Sequence, residues 1–307
     1  IDLAAKVLCN EGDTVICENP SFIGALNAFR SYNARLVGVD VERDGIDVEK
    51  LEQALKANPN TKLIYLIPTF QNPSGITMSP EKRRAVLALA ERYGAVILED
   101  NPYGELRFDG EDVPTIKSLD RGGQVLYCSS FSKILSAGMR VGFLCGHKDL
   151  IQKIVVVKQV NDVHTNIFFQ MLASRFMEVY GLDEHIASIR ALYKRKSALM
   201  VDALEERLGG VLEIVRPQGG LFIWGSGSCP KSAPSYGTRS GFRQYGRRRR
   251  RQDLCARPIC RFAFVPYELF HADRRADRRG RAPAEKNAGS IRRVRRVKGE
   301  AANMDIS

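Results

Sequence analysis

The sequence predicts an α/β protein with a mostly parallel sheet that carries helices on both faces, followed by an incomplete, smaller α+β unit. Short continuous apolar runs alternate with longer segments of helical periodicity up to about residue 225. This alternation is typical of strand–helix–strand units, and continuous apolar runs are typical of strands buried on both faces. The hydrophobic share of 44% and the charged share of 27% suit an ordinary globular core.

Six apolar runs are predicted to form the strands of the sheet: Thr14–Cys17, Arg35–Val39, Lys62–Ile67, Ala95–Glu99, Gln124–Cys128 and Val141–Cys145. The clearest helix lies between the third and fourth runs. Ser79 can cap its first turn, Pro80 fits the first helical position, and Gly94 ends it.

The second part of the chain is predicted to be helical over 148–160, 165–180 and 183–208. Two further runs, Val211–Val215 and Leu221–Trp224, are predicted as strands of the smaller unit. We therefore expect a large domain over residues 1–180, lacking its N-terminal part, and a partial small domain over 181–225.

Residues 226–307 differ from the rest of the chain in charge and pattern. They hold 21 Lys and Arg against 7 Asp and Glu, a balance of +14 in a chain whose net charge is +12. They include five consecutive arginines, Arg247–Arg251, and apolar periodicity is confined to Ile259–Phe270. One interpretation is a disordered basic tail that binds nucleic acid nonspecifically. We favour a translated frameshift, because the strand Leu221–Trp224 is cut off in the middle of its unit. Ile1 enters a helical pattern directly, so we also expect the true N-terminus to lie upstream.

The seven cysteines indicate a reducing compartment. None belongs to a C-x-x-C pair, and Cys128 and Cys145 lie in apolar runs, where a free thiol usually acts as a small hydrophobe. The sequence contains no signal segment and no apolar run of the roughly 20 residues that a membrane helix needs. We expect a cytoplasmic protein with no metal site and no membrane partner.

The strongest chemical signal is the stretch 129–142, which follows a predicted strand. Lys133 lies there on a loop at the carboxyl end of the strand, where ligands bind in open α/β sheets. Desolvation in such a place lowers the pKa of a lysine and makes its amine a nucleophile toward an aldehyde. The hydroxyls of Ser130 and Ser132 and the guanidinium of Arg140 suit a phosphate.

Four further candidate residues lie at or shortly after the ends of predicted strands. Asp100 ends one of them, and a carboxylate there can keep a ring nitrogen protonated, so that the ring accepts electrons. Tyr103 and Asn72 can both reach a ring oxygen, and Phe22 can stack on a flat ring. Taken singly, each also fits a purely structural role, as a turn, a cap or a core residue.

Taken together, these motifs resemble those of the fold-type I pyridoxal-phosphate (PLP) enzymes, specifically the class I/II aminotransferases. The order is the same: an aromatic residue, N-P-S-G, D-x-x-Y, S-x-S-K, and an arginine seven residues after the lysine. The resemblance covers about residues 1–225. The segments 99–108 and 158–165 are most similar to the branch that contains 2-aminoadipate and broad-specificity aromatic or branched-chain aminotransferases.

The resemblance implies transamination between an amino acid and a 2-oxo acid by a homodimer, and a role for each candidate residue. Lys133 forms an aldimine with PLP and later moves the substrate Cα proton. By the same resemblance, Asp100 pairs with the ring nitrogen, and Tyr103 and Asn72 bind the phenolic oxygen. Ser130, Ser132 and Arg140 bind the phosphate, and Phe22 stacks on the ring.

The family pattern has two parts to which we assign no residue of this sequence. One is a small-residue phosphate-binding turn, which we expect just upstream of Ile1, and the other is a substrate-carboxylate arginine near the C-terminus. We therefore expect this chain to bind PLP weakly and to be impaired in transamination.

Three functions from other classes stay open. The first is an aminotransferase-like sensor domain of a GntR-type transcriptional regulator, with a winged helix upstream. The second is a serine acyl enzyme, because residues 130–133 match S-x-x-K, although the accompanying S-D-N and K-T-G are missing from the sequence. The third is nucleic-acid binding through Arg247–Arg251, which the nearly neutral charge of the first 225 residues disfavours.

Overall fold

The structure of the protein, a computed structural model, confirms the predicted α/β class. It describes residues 1–209 and 212–227 in full, and residues 242–243 and 260–264 by their backbone. All of these residues belong to one unit, Ile1–Tyr267. Each predicted strand and helix is present, with bounds that differ from the prediction by up to three residues.

The larger sheet has seven strands, in the order β3-β2-β1-β4-β5-β6-β7. The strands are β1 Thr14–Asn19, β2 Arg35–Glu42, β3 Gly45–Ile46, β4 Thr61–Leu66, β5 Val96–Asp100, β6 Val125–Ser130 and β7 Gly142–Cys145. The five inner strands are parallel, and the edge strands β3 and β7 run antiparallel to their neighbours. The carboxyl ends of β1, β4, β5 and β6 therefore lie beside one another at one edge of the sheet.

The helices are α1 Asp2–Leu8, α2 Ile23–Ser31, α3 Val48–Ala57, α4 Pro80–Tyr93, α5 Ile116–Leu119, α6 Lys148–Asp162, α7 Ile167–Tyr180 and α8 Leu182–Leu208. Helix α4 has the predicted ends. Ser79 Oγ accepts a hydrogen bond from the Lys82 amide at 3.4 Å, and Gly94 ends the helix in the left-handed conformation at φ 67°.

Two apolar clusters cover the two faces of the larger sheet, because successive residues of a strand point to opposite sides. On one face, Leu63 and Tyr65 of β4 pack against α1, α2 and α6. On the other face, Ile64 and Leu66 pack against α3 and α4. The ring of Tyr65 meets the edge of Phe29, with 5.5 Å between the ring centroids. Tyr65 is thus fixed in the interior, on the face that also bears the side chain of Asp100.

A second, antiparallel sheet has the strand order β10-β11-β9-β8. Its strands are β8 Leu212–Val215, β9 Ile223–Gly227, β10 Phe242–Arg243 and β11 Cys260–Phe264. Val201 of α8 packs with Leu212 and Ile223 in a small core. The predicted domain boundary at residue 180 stays a prediction. The predicted aberrant tail over 226–307 lies outside the described residues, except for Ser226, Gly227, β10 and β11.

No helix in the described part of the chain combines the length and the apolar character that crossing a bilayer requires.

Candidate active site

The carboxyl edge of the larger sheet gathers the residues that the motif order predicted. Phe22 follows β1, Asn72 follows β4, Asp100 ends β5, and Lys133 follows β6. These four strands are parallel neighbours, so their carboxyl ends open on the same side. Residues that are far apart in sequence are therefore candidates for one site.

Asp100 lies between side chains of the two strands that flank β5. Tyr65 of β4 donates a hydrogen bond from its hydroxyl to Asp100 Oδ2 at 2.7 Å. Cys128 of β6 donates from Sγ to Asp100 Oδ1 at 3.5 Å. Burial raises the pKa of Asp100, and these two donors oppose the rise because they stabilise the charged form. The carboxylate is a buried acceptor with a fixed orientation.

Asn72 and Tyr103 are in direct contact, as expected for two residues that reach one ring oxygen. Asn72 Nδ2 donates to the Tyr103 hydroxyl at 3.4 Å, and both side chains are buried. The buried Oδ1 atom of Asn72 has no partner among the described residues, so the amide can accept a further hydrogen bond. The ring of Tyr103 meets the edge of Phe222 at 5.3 Å, and this contact fixes its orientation.

A buried polar network fixes the loop that carries Asn72. Gln71 Nε2 donates to Pro20 O at 2.8 Å and to Glu18 Oε2 at 3.3 Å, and Glu18 Oε2 also accepts from the Ile67 amide at 3.0 Å. On its other side, Gln71 Oε1 accepts from the Ser74 amide at 2.8 Å. Burial raises the pKa of Glu18 to about 8, although its two donors lower it. The network ties the loop after β1 to the loop after β4.

The residues after β6 form a more open group. Ser130 Oγ lies 2.8 Å from Ser132 Oγ and accepts from the Ser132 amide at 3.0 Å. Lys133 is half-buried in a π-helical turn over Ser132–Ser136. Arg140 is exposed, adopts the left-handed conformation at φ 55°, and donates from Nη1 to Ala137 O at 3.1 Å. Two hydroxyls thus lie within three residues of the lysine in sequence, and a guanidinium follows it by seven residues.

Phe22 immediately precedes α2 and is half-buried. Its ring covers Gly24, where a Cβ atom would lie 2.4 Å from the Phe22 ring, so this glycine makes room for the aromatic side chain.

The donor set fits PLP. A buried carboxylate with two hydrogen-bond donors suits the partner of a protonated ring nitrogen, and the unpartnered Oδ1 shows that the Asn72 amide has capacity for a ligand. Ser130, Ser132 and Arg140 suit a phosphate. Within the described residues, no group of three or more His, Cys, Asp or Glu side chains is placed to hold a metal ion.

Comparison with known proteins identifies the family of the chain. A family model described as aminotransferase class I and II matches residues 1–235. The chain belongs to this aminotransferase family. An aromatic-amino-acid aminotransferase of Thermococcus litoralis is 40% identical over 228 residues, covering 73% of this chain and 55% of the relative. A regulator of Escherichia coli, the uncharacterised HTH-type transcriptional regulator YjiR, is 36% identical over 228 residues, covering 73% of this chain and 47% of the relative. The aminotransferase chain therefore spans about half the length of these relatives.

Solved structures of aminotransferases share the fold. A kynurenine aminotransferase of Pyrococcus horikoshii, solved with PMP, superimposes with a TM-score of 0.75 at 32% identity, covering 88% of this chain and 69% of the other. An α-aminoadipate aminotransferase of Thermus thermophilus, complexed with N-(5′-phosphopyridoxyl)-L-leucine, has a TM-score of 0.71 at 36% identity, covering 75% of this chain and 59% of the other.

Four residues that contact the candidate site of the aminotransferase chain were not predicted from the sequence. Tyr65 and Cys128 flank Asp100, while Glu18 and Gln71 fix the loop of Asn72. Tyr65 and Cys128 lie inside apolar runs, where only their polar atoms distinguish them from core residues. Glu18 did carry a signal, because it is a charged residue directly after a run predicted to be a buried strand.

Proposed function

We propose that this chain forms the cofactor domain of a PLP-dependent enzyme that transfers amino groups between an amino acid and a 2-oxo acid. The observation that carries the proposal is the buried Asp100 carboxylate, with its two donors, at the strand end next to that of Lys133. Membership of the family supports the reaction class, and pyridoxal 5′-phosphate, the expected cofactor, is confirmed at the level of the family.

PLP supplies an aldehyde that captures an amino group and a ring that accepts electron density. Asp100 would hold the ring nitrogen, and Asn72 with Tyr103 would hold the phenolic oxygen. Ser130, Ser132 and Arg140 would bind the phosphate, while Phe22 would stack on the ring. The buried Asp100, Asn72 and Tyr103 also exclude water from the ring side of the site.

Lys133 would hold the cofactor through its amine. Its Nζ atom would also act as general base toward the substrate Cα proton and would then release that proton as an acid. For the substrate we propose an amino acid of the 2-aminoadipate, aromatic or branched-chain type. The names of the relatives from Thermococcus and Thermus support this choice.

Covalent attachment at Lys133 tests the proposal. The purified 307-residue chain is mixed with PLP and reduced with borohydride, and its peptides are mapped by mass spectrometry. We expect modification of Lys133 in the wild-type chain and in a Lys153→Ala control, which changes an exposed lysine of α6. We expect no such modification in Lys133→Ala. Stoichiometric attachment at another lysine, with Lys133 unmodified, would refute the assignment.

We further propose that the protein is a cytoplasmic homodimer. Apolar side chains are exposed on α6 and α7, including Val160 at 81%, Phe168 at 67% and Met171 at 66%. Large exposed apolar areas are typical of association surfaces. Light scattering tests this, and we expect Phe168→Glu to lower the measured mass toward that of a monomer, with Leu199→Glu on α8 as the control.

The four described cysteines are free thiols, which is consistent with a reducing compartment.

A sensor domain of a transcriptional regulator is the second candidate. The similarity to the HTH-type regulator YjiR supports it. The gene sequence upstream of the codon for Ile1 discriminates between the two. A winged helix–turn–helix there would support the regulator, and further aminotransferase sequence would support the enzyme.

A further inference from the structure

The Asp100 carboxylate has a different hydrogen-bond donor on each oxygen. Tyr65 binds Oδ2 and Cys128 binds Oδ1, at 2.7 Å and 3.5 Å. Tyr65 is fully buried, and Cys128 is 7% exposed. Burial raises the pKa of both groups well above their usual values, so each keeps its proton and acts as a donor.

The register of the sheet produces this arrangement. Asp100 of β5 pairs directly with Cys128 of β6, so their side chains stand on the same face. Tyr65 of β4 pairs with Leu98, two residues before Asp100, and therefore also stands on that face. The long tyrosine side chain extends diagonally toward the carboxyl edge and meets Asp100 there.

A buried carboxylate with too few donors tends to bind a proton. We propose that Tyr65 and Cys128 are positioning residues that together hold Asp100 as an ionised acceptor with a fixed orientation. The inference rests on the proposed function, in which Asp100 holds the ring nitrogen of PLP. A protonated Asp100 would leave that nitrogen without its negative partner.

Glu18 of β1 also acts on Asp100 and has to be kept constant in a test. Its carboxylate, when ionised, repels the negative charge of Asp100. Neither Tyr65→Phe nor a change at Cys128 removes this group, so both variants isolate the donors.

The first measurement uses the chain without cofactor. Aspartate carboxyl carbons are labelled with ¹³C, the Asp100 signal is assigned by its loss in Asp100→Asn, and its pKa is read from a pH titration. We expect Tyr65→Phe to raise the pKa of Asp100 by about one unit, because it removes a hydrogen bond to the charged form. Tyr93→Phe is the matched control, since its hydroxyl also binds a carboxylate, that of Glu52, at 3.2 Å. A Tyr65→Phe titration that coincides with wild type overturns the role of Tyr65.

Cys128 offers a second test in which the substitutions change the side-chain volume only slightly. Cys128→Ala removes the donor, and Cys128→Ser replaces it with a hydroxyl, which is a stronger donor. We expect the pKa of Asp100 to rise in the alanine variant and to return to the wild-type value or below in the serine variant. Equal titrations in both variants would overturn the role of Cys128, even if Tyr65→Phe failed to fold.

The second measurement uses the chain with bound PLP labelled with ¹⁵N in the ring. We expect the ¹⁵N shift of a protonated ring in wild type and in Tyr93→Phe, and a displacement toward the unprotonated value in Tyr65→Phe. A wild-type chain that takes up no cofactor would contradict the proposed function but not the cofactor-free titration. A bound, protonated ring that is identical in wild type and Tyr65→Phe would contradict the positioning role alone.

Discussion

The two halves of the candidate site differ in burial. On the side of β4 and β5, the side chains are buried and held by hydrogen bonds to other protein groups; they are Tyr65, Asn72, Asp100 and Tyr103. On the side of β6, Ser130, Ser132 and Lys133 are half-buried and Arg140 is exposed. We call the first the buried half, because it resembles the protein core, and the second the open half, because it resembles the protein surface.

A site residue can contribute to the stability of the fold, to ligand binding, or to both, and the difference in burial predicts which. The buried half has its geometry before any ligand binds, so its side chains contribute to the stability of the fold as well as to binding. In the open half, the hydroxyls bind one another and the backbone, and a phosphate would take over these bonds. Substitutions in the buried half should therefore lower the free energy of unfolding of the chain. Substitutions in the open half should mainly lower the affinity for the ligand.

The largest expected effect is the loss of stability in Tyr65→Ala. The change removes a fully buried ring that packs on Phe29, and it leaves Asp100 with one donor. We expect the free energy of unfolding to fall by about 3–5 kcal/mol in urea titrations followed by circular dichroism. Leu199→Ala, at an exposed position of α8, should change it by less than about 0.5 kcal/mol. Equal effects of the two changes would show that Tyr65 contributes no more to stability than an exposed side chain, and the buried half would not be part of the core.

The second effect concerns the pH dependence of stability in the buried half. Burial raises the pKa of Glu18 to about 8 in the folded chain, against an ordinary value of 4.5. Between these values the folded state binds a proton that the unfolded state releases, so the free energy of unfolding falls as the pH rises through this window. In Glu18→Gln this dependence should disappear. The variant should be more stable than wild type by a few kcal/mol at alkaline pH, with little difference at acid pH.

Urea midpoints at acid, neutral and alkaline pH measure this difference. Glu81→Gln, on the exposed first turn of α4, is the control and should keep the wild-type profile. A Glu18→Gln profile parallel to that of wild type would show that Glu18 does not titrate in this window.

Cys128 and Tyr65 show how far the sequence could predict the site. Local patterns of apolar runs and turns predicted the strands. The short motifs at the strand ends then identified the candidate residues with recognisable chemistry, such as Lys133 and Asp100. Cys128 was predicted to be a small hydrophobe, and its bond to Asp100 depends on the pairing of β5 with β6. Tyr65 likewise becomes a site residue only through the register of β4 with β5. Lateral register is a long-range property that no local pattern determines.

The third effect is on the open half, where Arg140→Gln should weaken PLP binding. Loss of a charge-assisted hydrogen bond to phosphate costs about 1.5–3 kcal/mol, which corresponds to roughly a 10–100-fold rise in Kd. The free energy of unfolding should stay within about 0.5 kcal/mol of wild type, because the side chain is exposed. Fluorescence titration with PLP measures the affinity. Arg195→Gln, also exposed, is the matched control, and an equal loss of affinity there would indicate a general charge effect.

The smallest expected effect is that of Ser132→Ala. The Ser130 hydroxyl would lose its 2.8 Å contact with Ser132 Oγ but keep Val141 O at 3.3 Å, so no buried group loses its last partner. We expect a change in the free energy of unfolding below about 0.5 kcal/mol and a rise of about 3–10-fold in Kd for PLP. The same two titrations apply. A loss of stability approaching that of Tyr65→Ala, with affinity unchanged, would mean that the serine pair braces the turn that carries Lys133. The open half would then be preorganised like the buried one.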